Sequence, residues 1–165
     1  MDRAMFAATQ WANEMPTIKT GPMVLLGRLN EAALVIGRDR LGPVFTSFGL
    51  QPGEFDVLAT LRRSGVPYAL TPTELYEVAM ISSGSMTNRI DRLEKAGLIE
   101  RRPNPSDKRG TLVALTADGL GLIEKAVVAH VANQHLIVDG LSKHEQETLS
   151  SLLEKLLSSQ GAKER

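Results

Sequence analysis

Between Ser82 and Gly97 the chain reads SSGSMTNRIDRLEKAG. Its apolar residues Met86, Ile90 and Leu93 recur four and three positions apart, which lines them along one stripe of a helix. Ser83, Ser85, Thr87, Asn88, Arg89 and Arg92 fill the other faces. A helix of this kind buries a narrow stripe and offers the rest to an anionic partner that accepts and donates hydrogen bonds. Gly97 follows the last turn, where a left-handed cap residue belongs.

The same period marks the chain on either side. A short helix is predicted over residues 5–14, carrying Met5, Phe6, Ala8 and Trp11 and ended by Pro16. Pro22 suits the first turn of a second helix. Its Leu25, Leu26, Leu29, Ala32, Ala33 and Ile36 run toward Leu41, with a kink expected at Gly42-Pro43. Pro52 opens a third, with Phe55, Leu58 and Leu61 on one face and a stop at Ser64-Gly65. Asp56, within it, reads as an exposed carboxylate favoured by the helix dipole. Thr71-Pro72-Thr73-Glu74 spells a capping box and starts a short helix through Leu75 and Val78 to about Met80. Ile81 to Gly84 then turns tightly into the stretch described first, giving a helix-turn-helix.

Beyond Gly97 the period falls to two. Leu98–Arg102 and Thr111–Leu115 read as strands, and Pro103 to Gly110 between them is rich in turn residues. This is a hairpin wing with Lys108 and Arg109 at its tip and Asp107 placed to pair with Arg109. Thr116 caps a helix carrying Leu120, Ile123, Val127 and Val131 to about Val138, its start weakened by Gly119 and Gly121. Ser142 and Glu145 form a second capping box before a last helix striped with Leu149, Leu152, Leu153, Leu156 and Leu157. The fold class is mainly α with a small β-hairpin wing: a winged helix-turn-helix with N- and C-terminal dimerisation helices. Residues 1–50 make the N-terminal extension and first dimerisation helix, 51–116 the winged helix-turn-helix and 117–165 the C-terminal dimerisation helices.

Charge sharpens this picture. The net charge is zero, but residues 82–111 hold seven Lys/Arg against four Asp/Glu, while both flanks are slightly acidic. A basic excess confined to the helix and wing is the footprint of a phosphate-binding face. Ser83, Ser85, Thr87 and Asn88 can then reach base edges or phosphates in the major groove, with Arg89 and Arg92 on phosphates and Lys108 and Arg109 in the minor groove. A two-fold dimer sets its reading helices about 34–36 Å apart, so an inverted repeat in double-stranded DNA is the expected target.

Other classes lose ground. The 165 residues hold no cysteine, which removes disulfides, thiolate metal sites and thiol redox sensing and suits a cytoplasmic protein. No apolar run is long enough for a membrane span, and no signal peptide is read. The three histidines, His130, His135 and His144, form no catalytic arrangement, and no phosphate loop or metal-ligand cluster is present, so neither enzyme activity nor a cofactor is expected. Histidine–carboxylate metal sites across a dimer stay open, as does a winged helix used only for protein contacts.

The run SMTNRIDRLEKAGLIERRPNPSDKRGTLVALTADG resembles the multiple-antibiotic-resistance regulator (MarR) family. The matching elements are Arg-Leu-Glu-Lys-Ala-Gly-Leu-Ile-Glu-Arg at 92–101, Asp107-x-Arg109 in the wing, and Leu115-Thr116. The resemblance spans about residues 22–160. It implies a homodimeric winged-helix transcription regulator, usually a repressor, that binds a pseudo-palindrome and is released by a small ligand. A narrower resemblance is to the urate-responsive PecS/UrtR-like branch, which has an extra N-terminal helix with a tryptophan. That branch also has an aspartate before the helix-turn-helix, an arginine in the recognition helix and another in the first wing strand. Trp11, Asp56, Arg89 and Arg101 stand in those places, which implies an anionic ligand such as urate or a related purine. Related regulators answer to phenolic or carboxylate metabolites.

Overall fold

The computed structural model describes residues 1–79 and 86–161, with Lys108 and Arg109 described by their backbone alone. The expected turn at 81–84, Ser83 and Ser85 therefore lie outside the described residues. The chain forms two compact units, Met1–Pro43 and Val44–Arg165. The expected division fell at residues 50 and 116. In the structure the winged-helix segment and the C-terminal helices share one unit.

The first unit holds helices α1 (Arg3–Glu14) and α2 (Gly21–Val35). Asp2 caps α1, accepting a hydrogen bond from the Met5 amide at 2.9 Å. The same carboxylate accepts two more from the Arg28 guanidinium of α2, at 2.9 and 2.7 Å. The Met5 amide and the guanidinium hold the Asp2 carboxyl below its ordinary pKa. Pro22 sits in the first turn of α2, as expected. Gly27 lets the two helices approach: a Cβ there would lie 2.8 Å from the Cβ of Ala4.

The expected kink at Gly42-Pro43 takes another form. Residues Ile36–Leu41 widen into a π-helical turn before α3 (Gly42–Ser47), and the Gly42 amide bonds to the Gly37 carbonyl five residues back. Pro43 has no N–H for the usual bond four residues back, and its ring crowds that carbonyl. A wider turn next to it accommodates both effects.

The second unit is built on α4 (Pro52–Arg63), whose Phe55, Val57, Leu58 and Leu61 are buried. Leu75 of α5 (Pro72–Val78), Ile90 and Leu93 of α6 (Met86–Lys95), and Ile123 of α7 (Ala117–Val138) are buried with them. The capping box of Thr71 and Glu74 forms as read from the sequence. The wing strands β2 (Ile99–Asn104) and β3 (Asp107–Leu115) are longer than expected, leaving Pro105 and Ser106 to turn the hairpin. Antiparallel pairing carries the ladder into a stretch whose composition reads as loop, with Ile99 opposite Leu115 and Pro103 opposite Thr111. A third strand, β1 (Ala69–Leu70), pairs with β3 on its other edge. Two residues are too few to show a period, so the pattern gave no sign of it.

Thr116 joins the wing to α7. Its hydroxyl accepts from the Gly119 amide at 3.0 Å and donates to the Gly97 carbonyl at 2.7 Å. Gly97 has φ +72°, the left-handed cap expected of it. The expectation for Gly119 needs correcting. A Cβ at this position would stand 1.9 Å from the Leu98 carbonyl oxygen, so the missing side chain is what lets α7 start against the wing's base. Arg62 of α4 pairs with Glu124 of α7 at 2.9 Å. Phe45 and Phe55 stack with ring centroids 4.4 Å apart, and His130 lies 5.4 and 4.8 Å from them. The last helix, α8 (Lys143–Ser159), begins at the Ser142–Glu145 capping box. No helix among the described residues is long and apolar enough to cross a membrane.

Gly119→Ala should destabilise the second unit by about 2–3 kcal/mol, because backbone rather than a flexible side chain must give way. A denaturant titration followed by circular dichroism reads this, and an unchanged midpoint would remove the close contact from the account.

Candidate functional site

Helix α6 buries Ile90 and Leu93, half-buries Met86 and turns Thr87, Asn88 and Arg92 outward. The first turn of α4 grips it from one side. Gln51 caps α4, and its amide donates to Glu54 Oε2 at 2.7 Å, closing a capping box. Arg92 reaches back from α6 to this box. Its Nη2 lies 2.7 Å from Gln51 Oε1 and 3.0 Å from Glu54 Oε1. At Gly53, which lies between Arg92's two partners in sequence, the Arg89 guanidinium packs against the backbone. A Cβ there would come within 2.3 Å of Arg89 Nε and 2.6 Å of its Cζ. Both arginines expected on phosphates thus have their guanidiniums against α4. The physical reason is charge: the first turn of α4 presents Glu54 and, three residues earlier, an amide oxygen to that side of α6.

Asp56 departs from the exposed carboxylate that its position suggested. It is half-buried, and burial raises its pKa, while the charges of Arg89 and Arg63 act the other way. Gly53, Asp56, Thr60 and Arg63 are spaced three, four and three apart, so they form a second, polar stripe on α4 beside its apolar one. Thr60 is buried and accepts a hydrogen bond from Arg63 Nη2 at 3.2 Å. The same nitrogen donates to the Val78 carbonyl at the end of α5. This stripe therefore ties α4 to both helices of the helix-turn-helix.

Of the four residues that the resemblance pointed to, the structure brings Asp56 and Arg89 together. The guanidinium of Arg101, on β2, is held instead by Asp91 and Glu94 of α6. Those residues lie two and five positions after Arg89, roughly 200° and 140° around the helix. Both carboxylates push the Arg101 pKa up, Asp91 most strongly. Trp11 belongs to the first unit, on α1, and is 46% exposed. Lys108 and Arg109 fall on β3, at the hairpin end next to Asp107. Sequence reasoning missed Gln51, Glu54 and Arg63. The signals were present: Gln-Pro-Gly-Glu has capping-box spacing with an amide in place of a hydroxyl, and Arg63 follows Asp56 by two helical turns. Among the described residues no cluster of three or more His, Asp or Glu could hold a metal ion.

Comparison with known proteins bears on this geometry. Residues 50–111 match the MarR family model, a span that runs from the residue before Gln51 into the second wing strand. The HTH-type transcriptional regulator PecS of Dickeya dadantii is 41% identical over 144 residues, covering 87% of this chain and 86% of that protein. The chain belongs to the MarR family, on its PecS branch. Its relatives include proteins named HTH-type transcriptional regulators, PecS and, from Bacillus subtilis, MhqR among them. A mutant MarR from E. coli, solved in complex with operator DNA, superposes with a TM-score of 0.70 at 30% identity, covering 89% of this chain and 97% of that one. Sco3205, a MarR-family regulator from Streptomyces coelicolor solved in complex with DNA, gives 0.75 at 25% identity, covering 86% and 89%. This MarR-family chain thus carries the mainly helical, winged architecture read from its sequence.

The raised pKa of Asp56 has a consequence for stability. The folded chain holds the Asp56 proton more tightly than the unfolded chain does. The group's contribution is therefore full below the ordinary carboxylate value of 3.8 and is lost as pH rises through the folded value. Asp56→Asn should melt higher than the wild type at pH 7, and the gap should shrink as the pH falls through the folded value and be closed below the ordinary one. Thermal melts across this range check it; a variant less stable at pH 7 would show that the two arginines outweigh burial.

Proposed function

We propose that this chain is a DNA-binding transcriptional repressor that reads a pseudo-palindromic operator as a homodimer and is released by a small anion, urate or a related purine. Two MarR-family relatives of the same fold are solved bound to DNA. The basic segment of this chain forms α6 and the hairpin. In this reading α6 lies in the major groove, with Thr87 and Asn88 toward the bases, and Ser83 and Ser85 precede it. Lys108 and Arg109 on the wing meet the minor groove beside it. The dimer is supported by apolar faces within each unit. Leu25, Leu26 and Leu34 of α2 are exposed in the first unit. Val128 and Leu136 of α7, and Leu152 and Leu157 of α8, are exposed in the second. Rows of large apolar side chains at this exposure suit a subunit interface.

The observation that carries ligand control is the half-buried Asp56 carboxylate between the charges of Arg89 and Arg63, under the reading helix. A flat monoanion such as urate competes with Asp56 for Arg89. Asp56 can accept a ring N–H of the ligand, or act as the negative group whose displacement starts the switch. Arg101 and Trp11 enter the reading on the sequence resemblance alone. Because Arg89 is on α6, drawing it toward a ligand tilts the reading helix. The ligand shifts the population only if it binds the tilted state better. A tenfold loss of DNA affinity needs about 1.4 kcal/mol of such coupling. A phenolate or aromatic carboxylate meets the same groups, so aromatic acids are assayed beside purines.

DNA affinity should fall steeply between low and high salt, and Lys108→Ala with Arg109→Ala should flatten the slope of log affinity against log salt by roughly 0.9 per lost phosphate contact. A gel-shift titration with an unaltered slope would take the wing off the phosphates. Urate should raise the melting temperature and release DNA from the wild type. Asp56→Asn and Arg89→Ala should each blunt that release, and both variants answering like the wild type would end the assignment of these residues to the ligand.

A further inference from the structure

We propose that Glu54 is a positioning residue for DNA reading: its carboxylate sets the rotation of α6 through Arg92. This rests on the reading of α6 as the helix that enters the groove. Three capping boxes occur among the described residues, at Gln51/Glu54, Thr71/Glu74 and Ser142/Glu145. In the latter two the glutamate is exposed and its cap residue has a hydroxyl. Glu54 differs on both counts. It is 7% exposed, and the second oxygen of its carboxylate faces a guanidinium from another helix at 3.0 Å. Capping a helix requires neither burial nor a cation. Burying a carboxylate without a partner is costly, so the burial of Glu54 and its link to Arg92 belong together.

The link supplies what the apolar stripe of α6 lacks. Ile90 and Leu93 hold the helix to the core, but apolar contacts are not directional. The hydrogen bond from the Arg92 guanidinium to the Gln51 amide oxygen is directional, and the ion pair with Glu54 holds the same nitrogen in place. Gln51, Gly53 and Glu54 therefore hold α6 at two points, Arg92 and Arg89, almost one turn apart. Rotating a helix by about 20° moves its outer surface, about 5–6 Å from the axis, by about 2 Å. That is enough to break the hydrogen bonds of a base-reading Asn88. It also follows that Arg92 is used within the protein and is not a phosphate contact.

The experiment uses the full chain and a duplex selected by the wild type from a randomised library. Glu54→Gln keeps an acceptor for the Gln51 amide and removes the charge facing Arg92. It should leave the circular dichroism spectrum and melting temperature near those of the wild type. It should also weaken DNA binding about five- to tenfold without changing the salt slope. Arg92→Ala should weaken binding by the same factor, again at constant slope, while lowering the melting temperature because Glu54 stays buried without its cation, and the double variant should bind no more weakly than Arg92→Ala alone. Arg92→Ala carries the test if Glu54→Gln fails to fold. Glu54→Gln binding as tightly as the wild type, or tighter with a steeper slope, would overturn the proposal, because Arg92 would then have been freed for phosphate. A slope reduced by roughly 0.9 in Arg92→Ala would overturn it as well. Asn88→Ala separates the two levels. If it alone keeps full affinity, the reading of α6 fails; if it weakens binding while Glu54→Gln does not, only the positioning role fails.

Discussion

The second unit depends on how α6 is fastened to α4. Two kinds of force act there, on different faces. Ile90 and Leu93 bury apolar area and hold α6 to the core, while Arg89 and Arg92 fix its rotation against Gly53, Gln51 and Glu54. Burial of one stripe sets which face of α6 points inward but leaves small rotations about its axis inexpensive. The charged contacts restrict that turning, and they lie beside Asp56, the half-buried carboxylate through which we propose an anion acts. Reading and release are thus proposed to use neighbouring groups on one helix.

The wing is attached by a different device, one of backbone and space. Thr116 bonds at once to the first turn of α7 and to the Gly97 carbonyl, and Gly119 brings that helix against Leu98. Arg101 adds a charged tie from β2 to Asp91 and Glu94. α6 is accordingly fastened to α4 on one side and to the wing on the other. This arrangement gives Arg101 a role in holding the hairpin to α6.

Much of this was legible in the chain. The spacing of Met86, Ile90 and Leu93, the capping boxes at Thr71 and Ser142, and Gly97 past the last turn of α6 all express local rules, which operate within a few residues. The features that were misjudged depend on distant partners. Gly119 looks like a weak helix start until Leu98 is placed beside it. Asp56 looks exposed until packing half-buries it near Arg89 of α6. Arg89 and Arg92 look like free cations until α4 presents its first turn. The strand Ala69–Leu70 exists only because β3 has an edge to offer.

The sequence by itself determined the main helices and their order, the caps at Thr71, Thr116 and Ser142, the hairpin and the family, because periodicity, turn chemistry and a ten-residue motif are properties of neighbours along the chain. Only the tertiary structure decided which arginines are tied to α4, which carboxylate is half-buried and why a glycine opens α7. Charge pairing and steric approach depend on distance in space, and residues 41 apart, such as Gln51 and Arg92, meet only after the helices have packed.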